Sequence, residues 1–386
     1  MLLPIYIIII FILLFKTEWL LKISDWNNIV LRKAEPCRIT SVLRKLNYQM
    51  IWEYVIIGFL VLVCFNGTRV PDFTNYAEAF RRMSLGIPYS YLGKGWYLLM
   101  NIGFTLGFDY QFVKALVAMI ALLLINSSLN FYCKTFKGRM FFWGIFLIFP
   151  ALLDITQIRF FAASSLVVYG FRYLKQYSLR NLTSYILIVA IGSLIHSSVI
   201  FYGLLAFVYL FPYFPKIYAG LLLTISFSGL LLKDYLILVA SGVIESDRLE
   251  RYFTSGDSMG IMGLIFAIAF IIVQLAILVL CLREYKLNSD KAPQFIQDLN
   301  LGSGVATTLL VIVPLCRLDA NFFRLERPGW LLFVMILSSL LFERRRTFLD
   351  KNRNVLLKWI IITMAFSANL YLISLFTFQI ISGYLL

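Results

Sequence analysis

WYLLMNIGFTLGF, residues 96–108, is apolar but only thirteen residues long, and Gly103 and Gly107 interrupt it. A membrane-crossing helix needs about 20 apolar residues, so this stretch is the ambiguous one. Whether it crosses fixes the orientation of everything before it. Around it lie twelve longer or clearer apolar runs: 2–15, 51–65, 111–131, 140–153, 160–174, 182–195, 197–211, 217–232, 259–281, 301–316, 328–342 and 356–376. If 96–108 stays on one side, 23 of the 35 Lys and Arg residues share the opposite side. Those 23 are seven in 16–50, three in 134–139, three in 172–180, Lys216, three in 283–291 and six in 344–358. The other 12 are Arg69, Arg81, Arg82, Lys94, Lys114, Arg159, Lys233, Arg248, Arg251, Arg317, Arg324 and Arg327. If 96–108 crossed, the basic loop 16–50 would lie opposite Arg344–Arg346 and the bias would shrink. Cytoplasmic loops are enriched in Lys and Arg. The sequence therefore predicts a re-entrant or interfacial helix at about 96–108 on the outer side, a placement tolerated where protein or a water-filled cavity covers it.

The expected fold is all-α and polytopic, with about 12 transmembrane helices, both termini outside and a single integral membrane domain over 1–386. Three outer loops, 66–110, 233–258 and 317–327, and two tight turns, 154–159 and the junction at His196, would form one face. Composition agrees. The chain is 61% hydrophobic and 14% charged, against roughly 45–50% and about 25% for soluble domains. A β-barrel would alternate polar and apolar residues; these runs are continuous. The net charge of +15 comes from short clusters that follow the positive-inside pattern, not from a nucleic-acid-binding face. The cysteines Cys37, Cys64, Cys133, Cys281 and Cys316 form no CxxC pair, which argues against a disulfide framework or a zinc site. A single histidine rules out a multi-histidine metal centre. The run 2–15 has no basic stretch before it and no small-residue cleavage site, so it reads as a span and not a cleaved signal. No Walker motif and no DxD-type metal motif stands out, and no cofactor or metal is expected.

The residues that carry chemistry are those placed outside. In the first loop, Asn66-Gly67 marks a turn and Arg69 and Asp72 sit just beyond a span end. Phe73, Tyr76 and Phe80 recur at helical spacing, so 73–83 reads as an amphipathic interfacial helix, with Arg81 and Arg82 snorkelling beside its aromatics. In the turn 154–159, Arg159 opens a span and is its only charge before Arg172. An arginine there needs a partner or solvent. Either it pairs with Asp154 or Asp72, or its planar fork receives a phosphate. His196, in Leu194-Ile195-His196-Ser197-Ser198, is either a structural residue or an acid, base or donor working near neutral pH. The last loop gathers Arg317, Arg324 and Arg327 with Asp319 and Glu326, and Pro328 suits the first turn of the next span. The mixed charges of 233–258, including Glu245, Asp247, Arg248, Glu250, Arg251 and Tyr252, read as a solvated lid. Arginines, a histidine, acids and aromatics together suit an anionic amphiphile that carries a sugar.

Three motifs over roughly residues 50–330 resemble the EpsG / Wzy-like family of polysaccharide polymerases. They are Arg69, Asp72 and Tyr76 after an early span; Gln157, Ile158, Arg159 and Ala162 opening another; and Ile195, His196 and Ser198 at a junction. Phe323-Arg324-Leu325 is similar as well. The chain departs from the pattern at Phe160, where a polar residue often follows the arginine, and at Glu326-Arg327-Pro328. The resemblance implies a GT-C-like architecture in the bacterial inner membrane, with the site facing the periplasm or outside. It also implies joining of undecaprenyl-pyrophosphate-linked oligosaccharide units, in a reaction needing neither metal nor nucleotide. Donor and acceptor would both be lipid-linked oligosaccharides among membrane lipids, with a chain-length regulator as a further partner and no nucleic acid. Asp72 or His196 would be the base, and Arg159 would act on the departing pyrophosphate. Arg69, Tyr76, Arg317, Arg324 and Arg327 would bind substrate. A ligase sharing this chemistry, a flippase or transporter of the same lipid, and a non-catalytic scaffold are the competing readings. A transporter would place charges near mid-membrane on broken helices; these residues cluster at one face.

Overall fold

A computed structural model describes residues 2–20, 48–68, 70–85, 93–231, 259–287, 293–342 and 351–372; these are helical apart from short turns and bends, with no strand among them. The chain folds as two compact units. The first is Met1–Tyr169, Leu194–Ser197 and Leu337–Leu386; the second is Gly170–Ser193 and Ser198–Ile336.

In the first unit α1 is Leu2–Phe15, α2 Tyr48–Asn66, α3 Pro71–Ser84, α4 Lys94–Thr105 and α5 Tyr110–Tyr132. Then come α6, Phe136–Ile148, α7, Ala151–Thr156, and α8, Ile158–Gly170. The centre is α6, where every residue from Gly138 to Ile148 is buried. A helix apolar all round belongs in a core, and α1 and α2 both pack on this one. Tyr6 donates its hydroxyl to the Leu147 carbonyl at 2.5 Å. The expected run 140–153 is broken: α6 stops at Ile148 and α7 starts at Ala151, because Pro150 offers no N–H to continue the helix.

The stretch at 96–108 folds as α4, which packs on α3 and α5. Its 12 residues rise roughly 18 Å, short of the ~30 Å hydrocarbon core. It ends where Gly107 takes φ 78°, and Phe108 N then donates back to the Gly103 carbonyl at 3.0 Å. This left-handed residue with its backward bond is a common helix stop. Asp109 starts α5 by accepting from Phe112 N at 2.7 Å.

The second unit opens with a 3₁₀ turn, Phe171–Leu174, and α9, Leu179–Ile195. After His196 comes a 3₁₀-helix, Ser197–Leu210. Its 14 residues reach about 28 Å at 2.0 Å each, so a run this short can match a bilayer core. There follow α10, Pro215–Leu231; α11, Ile261–Leu287; α12, Pro293–Leu309; and α13, Ile312–Leu318. A second 3₁₀-helix, Ala320–Glu326, leads into α14, Arg327–Phe342. The last helix, α15, Lys351–Leu372, belongs to the first unit.

Residues 317–327, expected as an open loop, are thus almost wholly helical. Asp319 caps the 3₁₀-helix by accepting from Asn321 N at 2.7 Å, and burial of Phe323 and Leu325 holds it in place. Five helices among the described residues are long and apolar enough to cross a membrane: Tyr110–Tyr132, Ile261–Lys286, Gln294–Leu318, Ala320–Phe342 and Asn352–Tyr371. Five shorter ones are also apolar: Leu2–Phe15, Met50–Asn66, Leu179–Ile195, Ser197–Leu210 and Pro215–Leu231. This is a multi-pass helical membrane protein.

One buried ion pair ties the first unit together. Arg139, counted above as a loop charge, is 6% exposed, and Glu53 is fully buried. Arg139 Nε meets Glu53 Oε1 at 2.6 Å, Asn130 donates to Glu53 Oε2 at 3.2 Å, and Arg139 Nη1 donates to the Lys134 carbonyl at 2.9 Å. Removing one member of such a pair strands the other charge at a cost of about 3–5 kcal/mol, whereas replacing both by apolar residues is often neutral. Arg139→Met is therefore expected to lower the thermal midpoint of the detergent-purified protein sharply, and adding Glu53→Leu to recover much of the loss.

Candidate functional site

The site in the first unit is built on the end of α9. That helix stops at Ile195, and a helix end leaves its last carbonyls without intrahelical partners and carrying partial negative charge. Arg159, the second residue of α8, answers this: its Nη2 donates to the Ile195 carbonyl at 3.4 Å. The other face of the guanidinium problem is met by Tyr76, whose ring centroid is 5.6 Å from Arg159 Cζ, a cation–π distance. Arg159 forms no ion pair among the described residues, so the pairing with Asp154 or Asp72 that the sequence leaves open is not what holds it. Its Nε is buried without a hydrogen-bond acceptor among the described residues.

Tyr76 is itself fixed by aromatics. Its ring lies 6.0 Å from Trp96 and 6.5 Å from Tyr110, and Phe73 and Phe80 flank Tyr110 at 5.4 and 6.0 Å. The amphipathic spacing of 73–83 thus serves α3 by packing it on α4 and α5. Asp72 lies one turn before Tyr76, on the same helix face, in the first turn of α3. His196 is half-buried, and Phe160 meets its ring edge-on at 5.5 Å. The departure from the family pattern at Phe160 therefore has a place in the structure: it packs the histidine.

Three features escaped the sequence reading. Gly93 and Gly95 let the start of α4 touch the end of α9. A Cβ on Gly93 would sit 2.8 Å from the Leu194 carbonyl oxygen and 3.6 Å from Arg159 Nη2, and one on Gly95 would sit 2.9 Å from that same oxygen. Two glycines around Lys94 just before an aromatic run were the available signal. Trp96 is fully buried beneath Tyr76. Lys114, a lone charge inside an apolar run, is 2% exposed. It donates to the Gly67 carbonyl at 2.6 Å and lies 4.7 Å over the Phe73 ring. Gln111 donates to the Phe65 carbonyl at 2.6 Å. Together they hold the end of α2, from which the chain leads to Asp72.

Arg81 and Arg82 have a different fate. Both bind Glu78, at 2.8 and 3.0 Å, in the open, and these bonds hold the Glu78 carboxyl down at about 2. They form a surface cluster in which one carboxylate serves two guanidiniums.

The second unit carries its own charges. Arg317 donates to the Leu230 carbonyl. Arg324 is half-buried and Arg327 is 4% exposed. Glu326, between them, is fully buried; its Oε1 accepts from Gln274 at 2.6 Å and its Oε2 has no partner among the described residues. The fully buried Tyr202 donates its hydroxyl to the Leu325 carbonyl, next to Glu326 in the chain, at 2.7 Å. So Arg159, Tyr76 and His196 gather in the first unit with Asp72 a turn away, while Arg317, Arg324 and Arg327 belong to the second. Arg69 and the lid 233–258 lie outside the described residues. No group of three His, Cys, Asp or Glu side chains placed to hold a metal ion occurs among the described residues.

In comparison with known proteins, the EpsG family model matches residues 52–383 of this chain. No curated protein matches it, and no solved structure does.

The glycine contact can be tested directly. Gly93→Ala places a methyl against a backbone carbonyl, and overpacking of this kind typically costs about 1–3 kcal/mol. Its thermal midpoint should fall by several degrees, whereas Gly58→Ala, mid-helix in α2 with open space at that position, should hold or raise the midpoint.

Proposed function

The chain belongs to the EpsG family, and from that membership we propose that it polymerises lipid-linked oligosaccharide repeat units. The reaction is a glycosyl transfer. A hydroxyl at the non-reducing end of a new lipid-linked unit attacks the anomeric carbon of the growing glycan. The bond from that carbon to the undecaprenyl pyrophosphate breaks, and the pyrophosphate leaves with the electron pair. The hydroxyl proton passes to a base on the protein, for which Asp72 and His196 are the two candidates. We place the chemistry at the outer face of the bacterial inner membrane, on a GT-C-like frame of twelve crossings with both termini outside. The asymmetry of 23 against 12 basic residues supports that orientation.

The observation that carries this reading is the Arg159 guanidinium. It is held by a ring and a carbonyl, both uncharged, so it keeps its full positive charge. Positioned positive charge stabilises negative charge that develops as a leaving group departs, and a departing pyrophosphate develops it here. A planar fork suits phosphate oxygens better than an ammonium does. Both substrates carry a pyrophosphate, and each unit has arginines of its own: we assign Arg159, and Arg69 as well, to substrate in the first, and Arg317, Arg324 and Arg327 in the second. Tyr76 serves as the platform that aims Arg159. The lipid pyrophosphate itself supplies the leaving group, so the reaction requires no nucleotide.

The test is a gel profile of the surface polysaccharide in a deletion strain of the native host. Wild-type complementation should restore a ladder. A well-expressed Arg159→Ala should leave a single repeat unit, with turnover down roughly 10²–10³-fold, the loss seen when one charge-stabilising donor is removed. Arg159→Lys should recover little. Long chains retained on the lipid carrier would instead mark a ligase. Lipid-linked units accumulating inside would mark a flippase, and an unchanged profile would end the polysaccharide reading. With polymerisation reconstituted, the pH–rate profile separates the bases: the acid limb should vanish in whichever of Asp72→Asn and His196→Gln removes the base and persist in the other.

A further inference from the structure

The end of α1 holds a cavity that glycosyl transfer does not use. It measures about 470 Å³ and is lined by Phe11, Ile12, Lys16, Glu18 and Trp19. Its two ends differ in chemistry. Phe11 and Ile12 make an apolar wall, and one turn further along the chain Lys16, Glu18 and Trp19 make a charged and aromatic rim. The rim gains more positive charge from neighbouring helices. Lys137 binds Glu18 at 2.7 Å. Lys358 lies 4.2 Å over the Phe342 ring and precedes Trp359, which reaches the end of α1. Neither Lys16 nor Lys358 has a carboxylate partner among the described residues, so three ammonium groups stand against one carboxylate. Trp19 and Trp359 are 57% and 52% exposed, and Trp359 contacts Phe15 at 5.9 Å. Exposed tryptophans beside lysines belong at a membrane–water boundary.

A cationic rim above an apolar wall at that boundary is complementary to a molecule with an anionic head and a hydrocarbon tail. A free phosphate would leave the wall formed by Phe11 and Ile12 unused, and a zwitterionic lipid would not answer the excess positive charge. We propose that this end of α1 binds one anionic glycerophospholipid, its phosphate received by Lys16 and Lys358 and one acyl chain lying along Phe11 and Ile12. The site is independent of Arg159 and of the glycosyl-transfer reading.

Native mass spectrometry of the detergent-purified full chain tests it, with phosphatidylglycerol and phosphatidylcholine added at equal concentration. Wild type should retain one phosphatidylglycerol in clear preference to phosphatidylcholine. Each interfacial lysine contributes about fivefold to anionic-lipid attraction, so Lys16→Gln should lower retention about fivefold and the double variant with Lys358→Gln about 25-fold. Lys134→Gln, which removes a lysine that donates to the Asn130 carbonyl, should leave retention unchanged. If the double variant fails to fold, Lys16→Gln alone carries the comparison. Equal retention of the two lipids, or no loss in Lys16→Gln, overturns the proposal. So does a polyprenyl pyrophosphate that displaces phosphatidylglycerol one for one, since the occupant would then be the carrier lipid.

Discussion

The carbonyl end of α9 organises the candidate site. A helix that stops leaves its last carbonyl groups without intrahelical partners, and each is open to a donor. Here the donor is a guanidinium. Ile195 O receives Arg159, and the absence of side chains at Gly93 and Gly95 brings the start of α4 against Leu194 and Ile195. That approach positions Trp96, which backs Tyr76, which in turn faces Arg159. A single break in one helix therefore sets α4, the aromatic cluster and the arginine. His196 is the residue at the break, and its ring is steadied by Phe160, the neighbour of Arg159. Residues 194–197 accordingly group with the first unit although the helices on both sides of them belong to the second.

Buried polarity in the second unit follows the same logic with different parts. Glu326 and Arg327 are adjacent in sequence and almost fully buried. A buried charge is costly unless paired or hydrogen-bonded, and Gln274, a lone polar residue in the long apolar helix α11, supplies the bond to Glu326. Tyr202 reaches Leu325 from the 3₁₀-helix that follows His196. Gln274 and Tyr202 are the kind of polar residues in apolar helices that have structural explanations only once the tertiary partner is known.

Much of this fold was legible because a bilayer enforces simple rules. Long apolar runs had to be helices, and the short glycine-broken run at 96–108 was expected as a shorter helix; it is the short helix α4. The break at His196 and the helix opening at Arg159 were visible from charge placed where apolar sequence resumes. What stayed hidden was tertiary. Phe73, Tyr76 and Phe80 announce an amphipathic helix, but period alone cannot say that Tyr76 would stack under Arg159. Arg139 sits among loop charges in sequence, and only the fold brings Glu53 to it across 86 residues. Pro150 lies within an apolar run whose hydropathy masks the break it imposes. Residues 317–327 look like a loop because they are charged. Yet Asp319 caps a helix and Phe323 and Leu325 are buried, so local capping and burial outweigh polarity.

The arginines in the first unit show what separates a structural cation from one available to a ligand. Arg139 is neutralised by Glu53 in the interior. Arg81 and Arg82 share Glu78 at the surface. Glu53 cancels the field of Arg139, Glu78 offsets one of the two charges of Arg81 and Arg82, and in both settings an approaching anion would compete with a carboxylate. Arg159 is stabilised instead by a π face and a carbonyl dipole. Those partners offset part of the cost of placing a charge at the mouth of an apolar helix, but they carry no net charge. The cation is fixed in direction and its charge is not cancelled. A phosphate arriving there displaces no carboxylate, and the protein has already met the cost of orienting the fork. That combination of fixed geometry with unneutralised charge separates Arg159 from Arg81, Arg82 and Arg139, and the proposed role in meeting a leaving pyrophosphate rests on it.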